Sequence, residues 1–480
     1  MHPFEQLLPL ARRDFLLHCG FGLGSIALGW LMSRDGTLAA ENRPGANPLR
    51  HKPSHFQPQA KAVIQLFMAG GPSQLELFDY KPKLQQLTDQ VVPESYVAGK
   101  RFAFLKPNSK LLGTKRSFRR HGHSGAEVSA ALPHIASVVD DVSFIKTMHT
   151  ENFNHGPAKL LTQTGYQTFG FPTIGSWVLY GLGSECQDLP GFVVLQSGPR
   201  GPRGGSYLWS NGFLSSSFQG VPFRSAGDPI LNLSNPQGIS RSRQRRTVET
   251  ISQLNAIHYD ETGDDAIVAR TASYEMAFRM QQSAPDLIDI SDETPDTLAQ
   301  YGIQEGQPSF AFNCLLARRL IERGVRFVTL FHTDWDHHGG GQNLEAHFDN
   351  ICRQVDQPAA ALVRDLKQRG MYDETLVVWG GEFGRTPMGE VRATTGRDHH
   401  IEAYTVWLGG GGIQPGRTVG STDELGFYPT EESDRVHVHD LQATILQLLG
   451  LDHLKLTYRF QGRDFRLTDV GGKIVEPLVS

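Results

Sequence analysis

The chain has 480 residues, a net charge of −4, 20% charged and 39% apolar residues, and 51 glycines with no collagen-like period. That length buries a sizeable core in one large domain or in two or three smaller ones. The acidic balance argues against a nucleic-acid binder, and four cysteines (Cys19, Cys186, Cys314, Cys352) without a CxxC pair argue against a cysteine zinc site.

In chain order, Arg12-Arg13 comes first, just before an apolar stretch from Phe15 to Met32, with small residues following at Ala39-Ala40. This pattern describes a twin-arginine export signal over residues 1–40. It implies passage through the twin-arginine export machinery, a periplasmic or extracellular location, and no stable membrane span after cleavage. Residues 41–58 are proline-rich and polar and read as a linker. The folded domain is expected over residues 59–475. Residues 61–68 read as a buried strand that stops at Gly70-Gly71, and residues 142–148 as another. Helices are predicted from about residue 156 and over 173–182, then a strand over 191–195. Residues 198–306 break the rhythm. They are glycine- and serine-rich, then basic (Arg241, Arg243, Arg245, Arg246), then helical over 264–282. They are expected to form an insertion whose basic run is a solvated helix face. The pattern then resumes with a helix at 310–323, a strand at 325–331, a helix at 344–369, strands at 375–379 and 403–408, and a helix at 436–449. Apolar strands alternating with helices predict an α/β fold with a mainly parallel central sheet and helices on both faces. Such sheets carry their sites beyond the carboxyl ends of the strands.

The polar clusters fall at those ends. In Asp334-Trp335-Asp336-His337-His338, extended backbone would put Asp334, Asp336 and His338 on one face, a donor set that suits zinc or another transition metal. In the run 380–387, Glu382 stands among glycines and Arg385 offers a planar fork to an anion. In the run 396–400, the adjacent His399 and His400 diverge, so one of them is expected to be a ligand. His155-Gly156-Pro157-Ala158-Lys159 opens a helix whose free N–H groups favour an anion. The run 70–79 offers Glu76 and Asp79 but lacks the ending of a phosphate-binding loop. Gly122-His123-Ser124-Gly125-Ala126 loosely resembles a nucleophile elbow, but residues 116–121 before it are no buried strand.

Taken in order, the paired arginines and the runs 70–79, 122–129, 154–165, 334–338, 380–387, 396–400 and 436–469 resemble the exported, sulfatase-like domain-of-unknown-function family 1501. The resemblance covers essentially the whole chain. That family is similar to the alkaline phosphatase superfamily. The likeness implies an α/β/α sandwich and metal-dependent hydrolysis of a sulfate or phosphate ester. It implies a divalent metal, zinc first, with calcium, magnesium or manganese as alternatives. The substrate would be an anionic ester, either a small molecule or a sulfated polysaccharide. His155 falls at the nucleophile position and serves as nucleophile or metal ligand. Lys159 and Arg385 would steady the anion. The first-strand metal aspartate falls near Glu76. The Asp-x-x-x-His metal pair matches Asp334 and His338, with Asp336 competing for the first role. Glu382-Phe383 replaces a late Asp-His pair, and the final metal histidine is His399 or His400, with His400 favoured, so that Asp336, His338 and His400 would hold the metal. The departures leave a second reading: a non-catalytic envelope binding or assembly protein, stabilised by metal on the same fold.

Overall fold

The computed structural model describes residues 47–479 except 107, 225–229, 231–232, 236, 305 and 391. The predicted export signal and the start of the predicted linker lie outside the described residues. In chain order the strands are β1 (Ala62–Met68), β2 (Phe118–His121), β3 (Ala126–Ser129), β4 (Val142–His149), β5 (Phe192–Ser197), β6 (Val221–Phe223), β7 (Phe327–His332), β8 (Thr375–Gly380), β9 (Gly384–Gly389), β10 (Arg397–His400), β11 (Tyr404–Gly409), β12 (Thr418–Val419) and β13 (Val436–His437). The main helices are α1 (His155–Thr164), α2 (Ile174–Leu182), α3 (Arg241–Thr262), α4 (Asp265–Ile288), α5 (Phe310–Glu322), α6 (Ala346–Gln368) and α7 (Val438–Leu448).

The central sheet runs β12-β4-β11-β8-β1-β7-β5-β6, with β13 added beside β4. Within it only β11 is antiparallel to its neighbours; β1 pairs parallel with both β7 and β8. Every residue of β1 is buried, as a strand covered on both faces requires. Its alternation divides the core. Ile64, Leu66 and Met68 pack with the apolar stripes of α5 and α6. Val63 and Phe67 pack on the opposite face with α1, α2 and α7. The result is the predicted three-layer α/β/α arrangement.

Local differences have local causes. The expected helix at 436–449 begins at Val438. Val436 and His437 first pair beside β4, and the His437 and Asp440 side chains then close a capping box. The run 122–126 is the turn of the β2–β3 hairpin, which is no nucleophile elbow. The basic run opens α3 with its arginines exposed. Cys314 and Cys352 are buried thiols on α5 and α6, and Cys186 is also free. No helix among the described residues is long and apolar enough to cross a membrane.

Candidate metal centre

The parallel strands deliver their polar loops to one edge. Met68 at the end of β1 stands in register with His332 at the end of β7, and Phe67 with Gly380 at the end of β8. The three following loops therefore start side by side. Gly70, at φ 124°, lets two of them touch: a Cβ there would lie 2.7 Å from the Asp336 nitrogen and 2.8 Å from Trp335 backbone atoms. Trp335 anchors the β7 loop. Its ring is fully buried, and its Nε1–H donates to His332 Nδ1 at 3.0 Å.

Four side chains from two loops and one ribbon converge there. One donor atom each from His155, Asp336, His338 and His399 lies within 4.8 Å of all the others. His155 sits at the start of α1, beyond β4. Asp336 and His338 follow β7. His399 is in β10, which pairs with β9 as an antiparallel ribbon beyond the sheet. The second ring nitrogen of each histidine is committed elsewhere. His155 Nδ1 donates to Glu382 Oε1 at 2.7 Å, His338 Nδ1 to Glu390 Oε1, and His399 Nδ1 to the Phe153 carbonyl at 2.5 Å. These bonds leave all three Nε2 atoms facing the centre. His338 Nε2 and His399 Nε2 stand 2.8 Å apart, nitrogen to nitrogen. Buried His155 Nε2 has no hydrogen-bond partner, although it lies 3.1 Å from Asp336 Oδ1. Converging imidazole lone pairs beside a carboxylate are the donor set of a divalent transition metal. Each imidazole is held from behind by an acceptor, as ligating histidines are.

The crowding sets the electrostatics. Burial opposes ionisation of Asp336, but the Arg385 guanidinium and three neighbouring imidazoles hold its carboxyl well below the usual carboxylate range. Burial lowers His399 to about 3, against the pull of Asp336 and with Arg385 beside it. His338 goes the other way: burial is outweighed by its hydrogen bonds to Asp336 and Glu390. Burial penalises Glu382, yet Lys159 and His155 keep it ionised. Both Glu382 oxygens also accept from the Gly70 N–H at 3.1 Å.

The other residues picked from sequence lie around this centre. Asp334 departs from the expected shared face because its backbone turns to φ 85°. Its carboxylate accepts from His347 Nε2 at 2.9 Å and pairs with Arg200 at 3.4 Å. His400, the histidine favoured from the sequence, is not in the cluster: alternating with His399 along β10, it points the other way and donates to the Phe427 carbonyl at 2.7 Å, and His399 takes its place. Glu76 is buried between two arginines, 2.7 Å from Arg397 Nη2 and 2.7 Å from Arg116 Nη1, so it braces the ribbon and faces away from the cluster. Arg385 is fully buried. It donates to Gly71 O at 2.8 Å, Arg397 O at 3.0 Å and Asp336 Oδ1 at 2.7 Å, so its fork is spent on the loops and on Asp336 and not on an incoming anion. Lys159 is buried and 3.9 Å from Glu382 Oε1. It lines a cleft with His155, Asp336, Arg200 and Arg203. Burial lowers its pKa, and Arg203 adds to that. Arg200, Arg203 and Glu390 had no signal in the sequence: two arginines in a glycine-rich run and an acid in a turn look like surface.

A family model described as "Protein of unknown function (DUF1501)" matches residues 60–479. No curated protein matches. Solved structures that resemble the chain include a protein in the alkaline phosphatase superfamily from Vibrio parahaemolyticus (11% identity, 84% of this chain and 70% of that one, TM-score 0.35). The lipoteichoic acid synthase LtaP from Listeria monocytogenes is another (9%, 91% and 81%, 0.33). A third is the alkaline phosphatase from the Antarctic bacterium TAB5 (11%, 74% and 92%, 0.31). Scores this low transfer nothing to the present site.

Proposed function

The chain belongs to the DUF1501 family, and from that premise we propose that it is an exported, metal-dependent hydrolase of sulfate or phosphate esters. One observation carries the reading: three imidazole Nε2 atoms and Asp336 Oδ1 converge within 4.8 Å, beside a cleft walled by Lys159, Arg200 and Arg203. A divalent cation held there supplies Lewis acidity, and the nitrogen-rich donor set favours zinc over calcium, magnesium or manganese. His155, Asp336, His338 and His399 hold the ion. Glu382 and Glu390 fix two of the imidazoles. Lys159 and Arg203 meet the charge of the sulfate or phosphate group, and Arg200 does so from its pairing with Asp334. In the net reaction the oxygen of water ends on sulfur or phosphorus, and the departing alcohol oxygen takes a proton. We read residues 198–306 as an insertion that contributes both arginines of the cleft. The Arg12-Arg13 signal supports export to the periplasm or beyond.

A second reading is favoured by one observation. The position that matches the nucleophile is His155, whose Nε2 belongs to the cluster. On that reading the metal is structural, and the protein binds or assembles in the envelope without turnover. The test is hydrolysis of aryl sulfates and aryl phosphates by purified protein. We expect turnover that falls at least about 100-fold in Asp336→Ala and in His155→Ala, with circular dichroism unchanged. Activity unaffected by both substitutions contradicts the site. Bound metal with no turnover across a broad ester panel supports the binding reading.

A further inference from the structure

Large apolar side chains that stay in water around a concave site mark recognition surface more often than chance exposure does. Phe104, Phe169 and Tyr207 are 50%, 60% and 50% exposed; Phe104 and Phe169 line a cavity that reaches the metal cluster. Phe104 meets the cluster directly, its ring edge-on to His338 at 4.8 Å and to His399 at 6.0 Å between centroids. It is not a loose surface residue. Asp398, the neighbour of His399, accepts from the Phe104 and Leu105 N–H groups at 2.7 and 3.0 Å, and the Arg392 guanidinium lies 5.7 Å over its ring. Phe169, from the α1–α2 connection, packs on Tyr207 with centroids 4.3 Å apart. Between Phe104 and Phe169 opens a cavity of about 410 Å³ that also touches His155, Asp336, His338 and His399. Leu160 adds to its apolar wall, and Arg203 and Asn154 are among its polar lining residues.

We infer that the cleft takes its ester on a ring, seated between Phe104 and Phe169 while the acid group faces the cluster and Arg203. This rests on the ester-hydrolase reading and adds the class of substrate. Two aromatic faces suit a flat or puckered ring, whose C–H or π surface stacks on them. An extended alkyl chain would need an apolar groove that continues, and apart from the two rings the only apolar side chain in the lining is Leu160. Aryl and pyranosyl esters share this chemistry.

The test uses metal-loaded protein, with Phe169→Ala and Phe104→Ala as variants; because Phe104 packs on His338 and His399, Phe104→Leu stands beside Phe104→Ala, and each variant is first shown to bind metal as the wild type does. Phenyl, glucopyranosyl and ethyl esters of the same acid are compared. In the variants KM should rise roughly threefold to tenfold for a ring-bearing ester, with kcat nearly unchanged and the ethyl ester unaffected. A response confined to the phenyl or to the pyranosyl ester identifies which ring is the substrate. An equal response of all three esters, or of none, overturns the inference. If no ester is turned over, the hydrolase reading fails separately. Calorimetric binding of the same esters then decides: ring-bearing esters that bind more tightly than ethyl, and lose that advantage in both alanine variants, support the seat. Equal binding of the three rejects it.

Discussion

Asp336 Oδ1 faces the Arg385 guanidinium at 2.7 Å and the Nε2 atoms of His338, His155 and His399 at 2.7, 3.1 and 3.3 Å. A carboxylate oxygen among three imidazole nitrogens suits a shared divalent cation. The imidazoles depend on what lies behind them. Glu390, itself held by Arg392 at 2.6 Å, is the acceptor that turns His338 Nε2 inward. Glu390→Gln should weaken divalent-metal binding by roughly 10- to 100-fold, read by chelator competition, with little change in thermal stability of the metal-free protein. An unchanged affinity would make Glu390 a bystander. His332 allows a second test at this scale. It is fully buried, accepts from Trp335 Nε1, donates to Gln354 Oε1 at 3.2 Å, and burial lowers it from 6.5 to about 4. Between those values the unfolded chain binds a proton that the folded chain refuses. His332 is therefore neutral in its effect above pH 6.5 and destabilises increasingly as pH falls towards 4, by about 3 kcal/mol at most. The stability lost between pH 7.5 and 4.5 in urea titrations should be smaller in His332→Asn than in the wild type. At this scale the residue types of the site were legible in the sequence and the assignments only partly. Period-two alternation paired Asp336 with His338 and separated His399 from His400. It failed at Asp334 because a positive φ is invisible in residue order.

At the scale of elements, the site depends on loops that approach one another closely. The β1 and β7 loops touch at Gly70, where φ 124° and a 2.7 Å approach to the Asp336 nitrogen leave no room for a side chain. Gly70→Ala should cost about 1–3 kcal/mol of stability and displace Asp336. It should therefore lower metal affinity, while Gly340→Ala, whose Cβ would meet nothing within 4 Å, should keep it despite some strain at φ 68°. Equal metal affinity in the two variants would show that the contact does not shape the site. The glycines at 70–71 and 380–381 marked these approaches in the sequence. The β9–β10 ribbon was not legible. Its strands are a glycine- and proline-bearing run and a polar run, with no apolar alternation, and they are buried because Arg397, Glu76 and Arg385 satisfy one another inside.

For the whole molecule, the architecture was legible because the strands are apolar on both faces and the helices on one, which is what a covered parallel sheet demands. The centre gathers residues from positions 155 to 399, delivered by the connection after β4, the loop after β7 and the β9–β10 ribbon. That distance in sequence is why Glu76, with the right chemistry but the wrong neighbours, looked like a ligand. The most direct measurement is metal content by elemental analysis of purified wild-type protein, His399→Ala and His400→Asn. We predict about one divalent ion per chain in the wild type and in His400→Asn, and its loss in His399→Ala. Wild-type protein that takes up no divalent ion, or a His399→Ala variant that retains it, would contradict the account.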